Sequence, residues 1–147
     1  YLEHGGRFGV GSDSNIRISL AEELRTLEYS QRLRDRGRAM LATPDASTGR
    51  VLFEGAARGG ARAAGRDCGA IAPGRLADLV ALDTTTNDLI GKSGDSILDS
   101  YVFAGDDRMV CDVWAAGRHV VHDGRHAGRD VIITRYQETI RTLGEKT

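Results

Sequence analysis

One strand-like run followed by two consecutive helix-period segments, with no strand between them, limits most what this chain can fold into. Arg7-Phe8-Gly9-Val10-Gly11-Ser12 alternates apolar residues with glycine, as a short strand does. Ser19 and Glu22 then stand at capping-box spacing, and Leu20, Leu24, Leu27 and Leu33 recur with helical period until Met40 and Leu41 close the segment. This spacing predicts an amphipathic helix of about five turns or more. Its outer face is expected to carry Glu22, Glu23, Arg25, Glu28, Arg32, Asp35 and Arg36, with i,i+4 pairs such as Glu28–Arg32. Thr43-Pro44-Asp45 breaks the pattern, and a second helix is expected from about Thr48 to Ala64. One strand and two helices close no sheet. The chain, which begins at Tyr1 without an initiator Met, therefore reads as the end of something larger, a processed product or a fragment.

The second helix is unusual in its small residues: Gly55, Ala56, Ala57, Gly59, Gly60, Ala61, Ala63 and Ala64. Glycine costs roughly 0.8–1 kcal/mol at an interior helix position, so close approach to a neighbour must offset it. We therefore expect tight packing at Gly59 and Gly60. The segment is no phosphate loop, because no Gly-Lys-Ser/Thr follows and its period is helical. Gly is abundant (19 of 147 residues) while Pro is rare (2), which suits tight turns and close packing better than a flexible linker.

Beyond Pro73-Gly74 the period changes. Ala77 to Leu82 reads as a buried strand, residues 84–96 as polar and turn-rich, and Ser96 to Phe103 as a short helix. Val110 to Ala115 and Arg118 to His122 form an expected strand pair around Ala116-Gly117, with Asp123-Gly124 as the next turn. The tail from Asp130 to Leu143 is expected to be helical, with Ile132, Ile133, Tyr136, Ile140 and Leu143 on one face. The 20 basic against 21 acidic residues leave no electrostatic footprint for nucleic acid or an acidic membrane, and no apolar run of about 18 residues spans a bilayer. No secretory signal is visible. The two cysteines, Cys68 and Cys111, form no C-x-x-C pattern and read as small buried residues, which points to a reducing cytoplasm.

Few residues carry chemistry on spacing alone. Asp13, in Gly11-Ser12-Asp13-Ser14, stands just past a strand and before a long helix, where barrel enzymes place catalytic groups. A turn aspartate bonding nearby backbone amides gives the same pattern. Gly9-Val10-Gly11 resembles part of a dinucleotide fingerprint, but Ser14 replaces its third glycine. His119 and His122 lie three apart on one strand, so they are expected on opposite faces and unable to share a metal. His4 and His126 read as loop and exposed residues. Arg32, Arg34, Arg36 and Arg38 read as a solvated or salt-bridged face.

Several stretches together resemble a known family. Phe8-Gly9-Val10-Gly11-Ser12-Asp13-Ser14 is similar to the eighth barrel strand of the amidohydrolase superfamily. Ala72-Pro73-Gly74-Arg75-Leu76-Ala77-Asp78-Leu79-Val80-Ala81-Leu82-Asp83 resembles the strand that re-enters its small β-domain, and Val113 to His126 resembles its terminal hairpin. Within the superfamily, residues 22–36 and 91–105 resemble the formimidoylglutamate deiminases of histidine breakdown.

The resemblance implies an α/β fold: the C-terminal part of a (β/α)₈ TIM barrel, plus the C-terminal contribution to a small β-sandwich. Residues 1–70 would end the barrel, 71–126 would belong to the composite β-domain with a helical insertion, and 127–147 would form a closing helix. It implies a zinc-dependent hydrolase that converts N-formimino-L-glutamate and water to N-formyl-L-glutamate and ammonia. Asp13 is the one residue that carries over, as metal ligand and as the catalytic group accepting the water's proton; the zinc-binding histidines of the family have no match here. The remaining ligands would come from a missing N-terminal part of the same protein, in a homo-oligomer. The chain alone is expected to be inactive and to hold no tight zinc site. Two alternatives stay open: another deaminase or chlorohydrolase of the superfamily, of the guanine or adenosine type, and a non-catalytic C-terminal assembly module.

Overall fold

The Ser19 hydroxyl accepts a hydrogen bond from the Glu22 amide at 3.3 Å and opens α1 (Leu20–Asp35) in a computed structural model that describes residues 1–145. The helix ends earlier than its leucine spacing predicts. Arg36 adopts a left-handed conformation (φ 53°), and the chain doubles back so that Met40 and Leu41 lie beside the helix instead of continuing it. What holds them is Glu28. Expected on the solvent face, it is fully buried, and its carboxylate accepts from Arg32 Nε (2.6 Å), the Met40 amide (2.9 Å) and the Leu41 amide (3.1 Å). A buried carboxylate with three donors is satisfied in a way that an isolated one is not.

The second helix, α2 (Thr48–Ala63), is capped by Ser47 and by carboxylates of α3 (Asp95–Phe103). Asp95 accepts from the Ser47 amide at 2.9 Å and Asp99 from the Gly49 amide at 2.8 Å, placing two negative charges at the positive end of α2. A Cβ on Gly49 would lie 2.6 Å from the Asp99 amide nitrogen, so this approach requires glycine. In return Arg25 of α1 donates to the carbonyls of Val102 and Gly105, both at 2.7 Å, and closes the C-terminal end of α3. The three helices enclose Leu24, Leu52, Leu89, Tyr101, Val102 and Met109. Burial pushes the Tyr101 hydroxyl pKa up, and that hydroxyl donates to Asp107 at 2.9 Å.

Residues 6–12 keep the alternation of a strand but have no ladder. Gly6, Phe8, Val10 and Ser12 are half-buried and the residues between them are exposed, yet no strand among the described residues pairs with this segment. Its inner side packs on α2. A Cβ on Gly55 would come within 2.6 Å of the Phe8 ring, and one on Gly59 would collide with the Phe8 carbonyl oxygen. The expected crowding at Gly60 is not found, because a Cβ there would face open space. Small residues on α2 thus serve two contacts, with Phe8 and with α3.

The remainder forms an antiparallel sheet of β1 (Leu79–Leu82), β2 (Val110–Ala115), β3 (Arg118–His122) and β4 (Arg125–His126), in that spatial order. Ala116-Gly117 and Asp123-Gly124 both have positive φ at both positions, the turn conformation that matches strand twist in two-residue hairpins. Alanine is costly there, and Asp78 supports it by accepting from the Ala116 amide at 2.7 Å. Arg66 also clamps Asp78, and together these bonds hold its carboxyl pKa at about 2. The last helix, α4 (Arg129–Gly144), follows the sheet with Val131, Ile132, Tyr136 and Ile140 exposed. The final two residues of the tail expected at 127–147 lie outside the described residues. No helix among the described residues is long and apolar enough to cross a membrane.

Candidate active site and metal-binding groups

Asp13 occupies the first central position of a turn closed by the Asn15 amide donating to the Ser12 carbonyl at 2.8 Å. Its φ of 44° is left-handed, a conformation that aspartate tolerates better than most residues. The turn is tied to α1 through Asn15 Nδ2, which donates to Glu23 at 2.9 Å. The Asp13 carboxylate is exposed, and Ser14 Oγ donates to its Oδ1 at 3.3 Å. Among the described residues nothing else bonds to it, so Oδ2 is open. A carboxylate oxygen suits zinc as one ligand, but a catalytic zinc site needs about three protein donors. Asp13 gathers with no two other histidine, cysteine or carboxylate groups among the described residues, so this chain presents a single donor there.

The histidines behave differently from expectation at one place. His4 sits in a short 3₁₀ turn (Leu2–His4) and His126 on β4, both exposed. His119 and His122, expected on opposite faces of β3, share one face, with ring centroids 3.5 Å apart. The cause is a bulge. Val113 pairs with Val121 but Trp114 pairs with His119, so Val120 is an extra residue in β3 and the alternation resets across it. The reset brings both imidazoles to the face of Asp112 and Trp114 on β2. His119 Nε2 lies 2.6 Å from Asp112 Oδ1 and its ring stacks on Trp114 at 4.3 Å. The hydrogen bond with His119 holds the Asp112 carboxyl below its usual range. Asp112 was invisible to a reading of side-chain periodicity, because an isolated strand aspartate carries no signal and the bulge has no glycine to mark it.

Two shallow clefts lie among the described residues, and Asp112 lines the first of them. One is lined by Asp83, Arg108, Cys111, Asp112 and Asp123, the other by Arg7, Phe8, Gly9, Gly59 and Arg62. Asp13 lines neither. Cys68 and Cys111 are half-buried and unpaired, and burial pushes the Cys111 thiol pKa up.

Comparison with known proteins places the chain. Residues 1–120 match the model of the amidohydrolase family. Over 131 residues the chain is 51% identical to formimidoylglutamate deiminase of Pseudomonas aeruginosa, covering 88% of this chain and 29% of that protein. The crystal structure of an amidohydrolase from Brucella melitensis superposes with a TM-score of 0.86 at 44% identity, over 97% of this chain and 31% of that one. Atrazine chlorohydrolase TrzN from Arthrobacter aurescens, crystallised with zinc, superposes with a TM-score of 0.68 at 28% identity, over 86% of this chain and 28% of that one. The chain therefore spans about 30% of the length of the relatives it matches. By sequence over most of its length and by fold, this chain belongs to the amidohydrolase family.

Proposed function

We propose that this chain is the C-terminal portion of a metal-dependent amidohydrolase that hydrolyses N-formimino-L-glutamate to N-formyl-L-glutamate and ammonia. The observation that carries the reading is the 51% identity to a formimidoylglutamate deiminase, against 28% to a chlorohydrolase of the same fold. On this reading residues 1–70 end a (β/α)₈ barrel, 71–126 contribute to a composite β-domain and 127–147 close the chain. The segment at 6–12 is then the eighth barrel strand, and its missing ladder is completed by strands of the same protein. The intact protein is a cytoplasmic homo-oligomer, and the chain by itself is inactive.

Asp13 is the residue of this chain that we assign to the chemistry, as zinc ligand and proton carrier. Zinc, when bound, supplies Lewis acidity that makes water a competent nucleophile near neutral pH. The carboxylate suits its place, because it stays ionised beside a cation and still accepts a proton in passing. Its two oxygens would divide the roles, one holding the metal and the other accepting the water's proton and delivering it to the departing nitrogen, while the Ser14 hydroxyl, donating to Oδ1, helps orient the group. The left-handed backbone at Asp13 fixes where that carboxylate points relative to the Ser12–Asn15 turn. The experiment is hydrolysis by the intact protein of N-formimino-L-glutamate, adenosine and a chlorotriazine side by side, read as ammonia released from the first two and chloride from the third. A kcat/KM at least about 100-fold higher on the first supports the assignment. Comparable or higher values on either of the others overturn it.

A further inference from the structure

We propose a second metal site, at Asp112, His119 and His122, that takes a divalent transition-metal ion of the class preferring imidazole and carboxylate donors, with zinc as the probe. Each residue offers one ligand atom, and these atoms all lie within 4.8 Å of one another. A tetrahedral ion with bonds of about 2.0–2.1 Å holds its ligand atoms about 3.3 Å apart. The Asp112–His119 pair, now hydrogen-bonded at 2.6 Å, has to open by less than about 1 Å, while His122 swings in. His122 is exposed and free to do so, whereas stacking on Trp114 fixes the His119 ring in place. Two imidazoles and one carboxylate leave a fourth position for water, as three-ligand zinc sites do.

The bulge at Val120 is the second observation that supports a site. A regular strand would send His119 and His122 to opposite faces; one added residue brings both to Asp112. Bulges that re-aim side chains are frequent next to functional sites. The ion would join β2 to β3 across the hairpin through side chains of both strands. This proposal does not depend on Asp13 or on the reaction, because none of its three ligands is assigned to either.

The test compares the intact protein with His122→Gln and Asp112→Asn variants. All are stripped of metal, dialysed against zinc buffered at on the order of 10 µM free ion, and analysed for zinc per polypeptide. The wild type should retain one zinc more than either variant. Zinc should also raise its melting temperature by more than it raises theirs, while metal-free His122→Gln melts like the metal-free wild type because His122 is exposed. The variants should bind that extra zinc at least about 100-fold more weakly. Anomalous diffraction from wild-type crystals grown with zinc gives an independent reading, a peak between the three side chains. Equal zinc in wild type and variants, binding only at millimolar zinc, or no peak at the three residues overturns the proposal.

Discussion

Replacing Glu28 by alanine tests the most concentrated interaction in the helical layer. The carboxylate is fully buried and accepts three hydrogen bonds, two of them from the backbone amides of Met40 and Leu41. Removal orphans both amides, at ~1–3 kcal/mol each, and leaves Arg32 without its partner. Arg32 keeps its contacts with the Tyr29 and Phe103 rings, 5.2 and 5.1 Å from their centroids, which limits the loss on that side. The expected cost is therefore about 3–5 kcal/mol, that of stripping one partner from a buried charged network. Glutamine in the same place is milder. Its amide oxygen still serves Arg32 and Met40, but its NH₂ faces the Leu41 amide, donor against donor, for a cost of about 1.5–3 kcal/mol. Hydrogen exchange at the Met40 and Leu41 amides reads the effect locally. Because each 1.4 kcal/mol is tenfold, protection should fall by on the order of 100-fold or more in Glu28→Ala and less in Glu28→Gln. Unchanged protection in the alanine variant would show that Glu28 does not hold this loop.

Gly59→Ala should destabilise by roughly 1–3 kcal/mol through collision with the Phe8 carbonyl, whereas Gly60→Ala, facing open space, should be neutral or gain up to ~1 kcal/mol of helix propensity; chemical denaturation of the pair, with equal shifts, would refute the packing assignment. The Asp78 carboxyl pKa is lowered to about 2, so the stability it contributes is fully present above about pH 4 and is lost as pH falls toward 2. The stability difference between wild type and Asp78→Asn should therefore close over that window, and a gap that persists at pH 2 would contradict the assignment. Gly49→Ala should destabilise the α2–α3 contact, because its Cβ would meet the Asp99 backbone; a melting temperature equal to that of the wild type would refute that contact.

Features set by local chemistry were legible before the fold was known. Ser19 with Glu22 marked the start of α1, and Ala116-Gly117 and Asp123-Gly124 marked both hairpin turns, because caps and turns depend on neighbouring residues alone. Features set by distant partners were not legible. Glu28 carries the sequence pattern of a surface residue, and only the returning loop at Met40 and Leu41 makes it a core one. The alternation at Phe8 and Val10 is found, but the strand expected there is not, because a ladder needs neighbours that periodicity does not supply. The His119–His122 arrangement depends on an extra residue at Val120, and period-two counting fails wherever a strand bulges. At the candidate site, position left Asp13 open between a turn residue and a catalytic one and the family resemblance of residues 8–14 singled it out, while Asp112 became visible only through the register of β2 and β3.

The assignment of Asp13 is tested most directly by steady-state ammonia release from N-formimino-L-glutamate by the intact protein and its Asp13→Asn variant, measured side by side at matched zinc content. Asparagine keeps the size of the side chain and tolerates the left-handed backbone at this position, so the turn should persist and stability should change little. It loses the charge and the site that accepts the proton. The kcat of the variant should fall by about 100-fold or more, the usual contribution of a positioned acid–base group. A variant turning over within a few fold of the wild type would remove Asp13 from the mechanism and contradict the account.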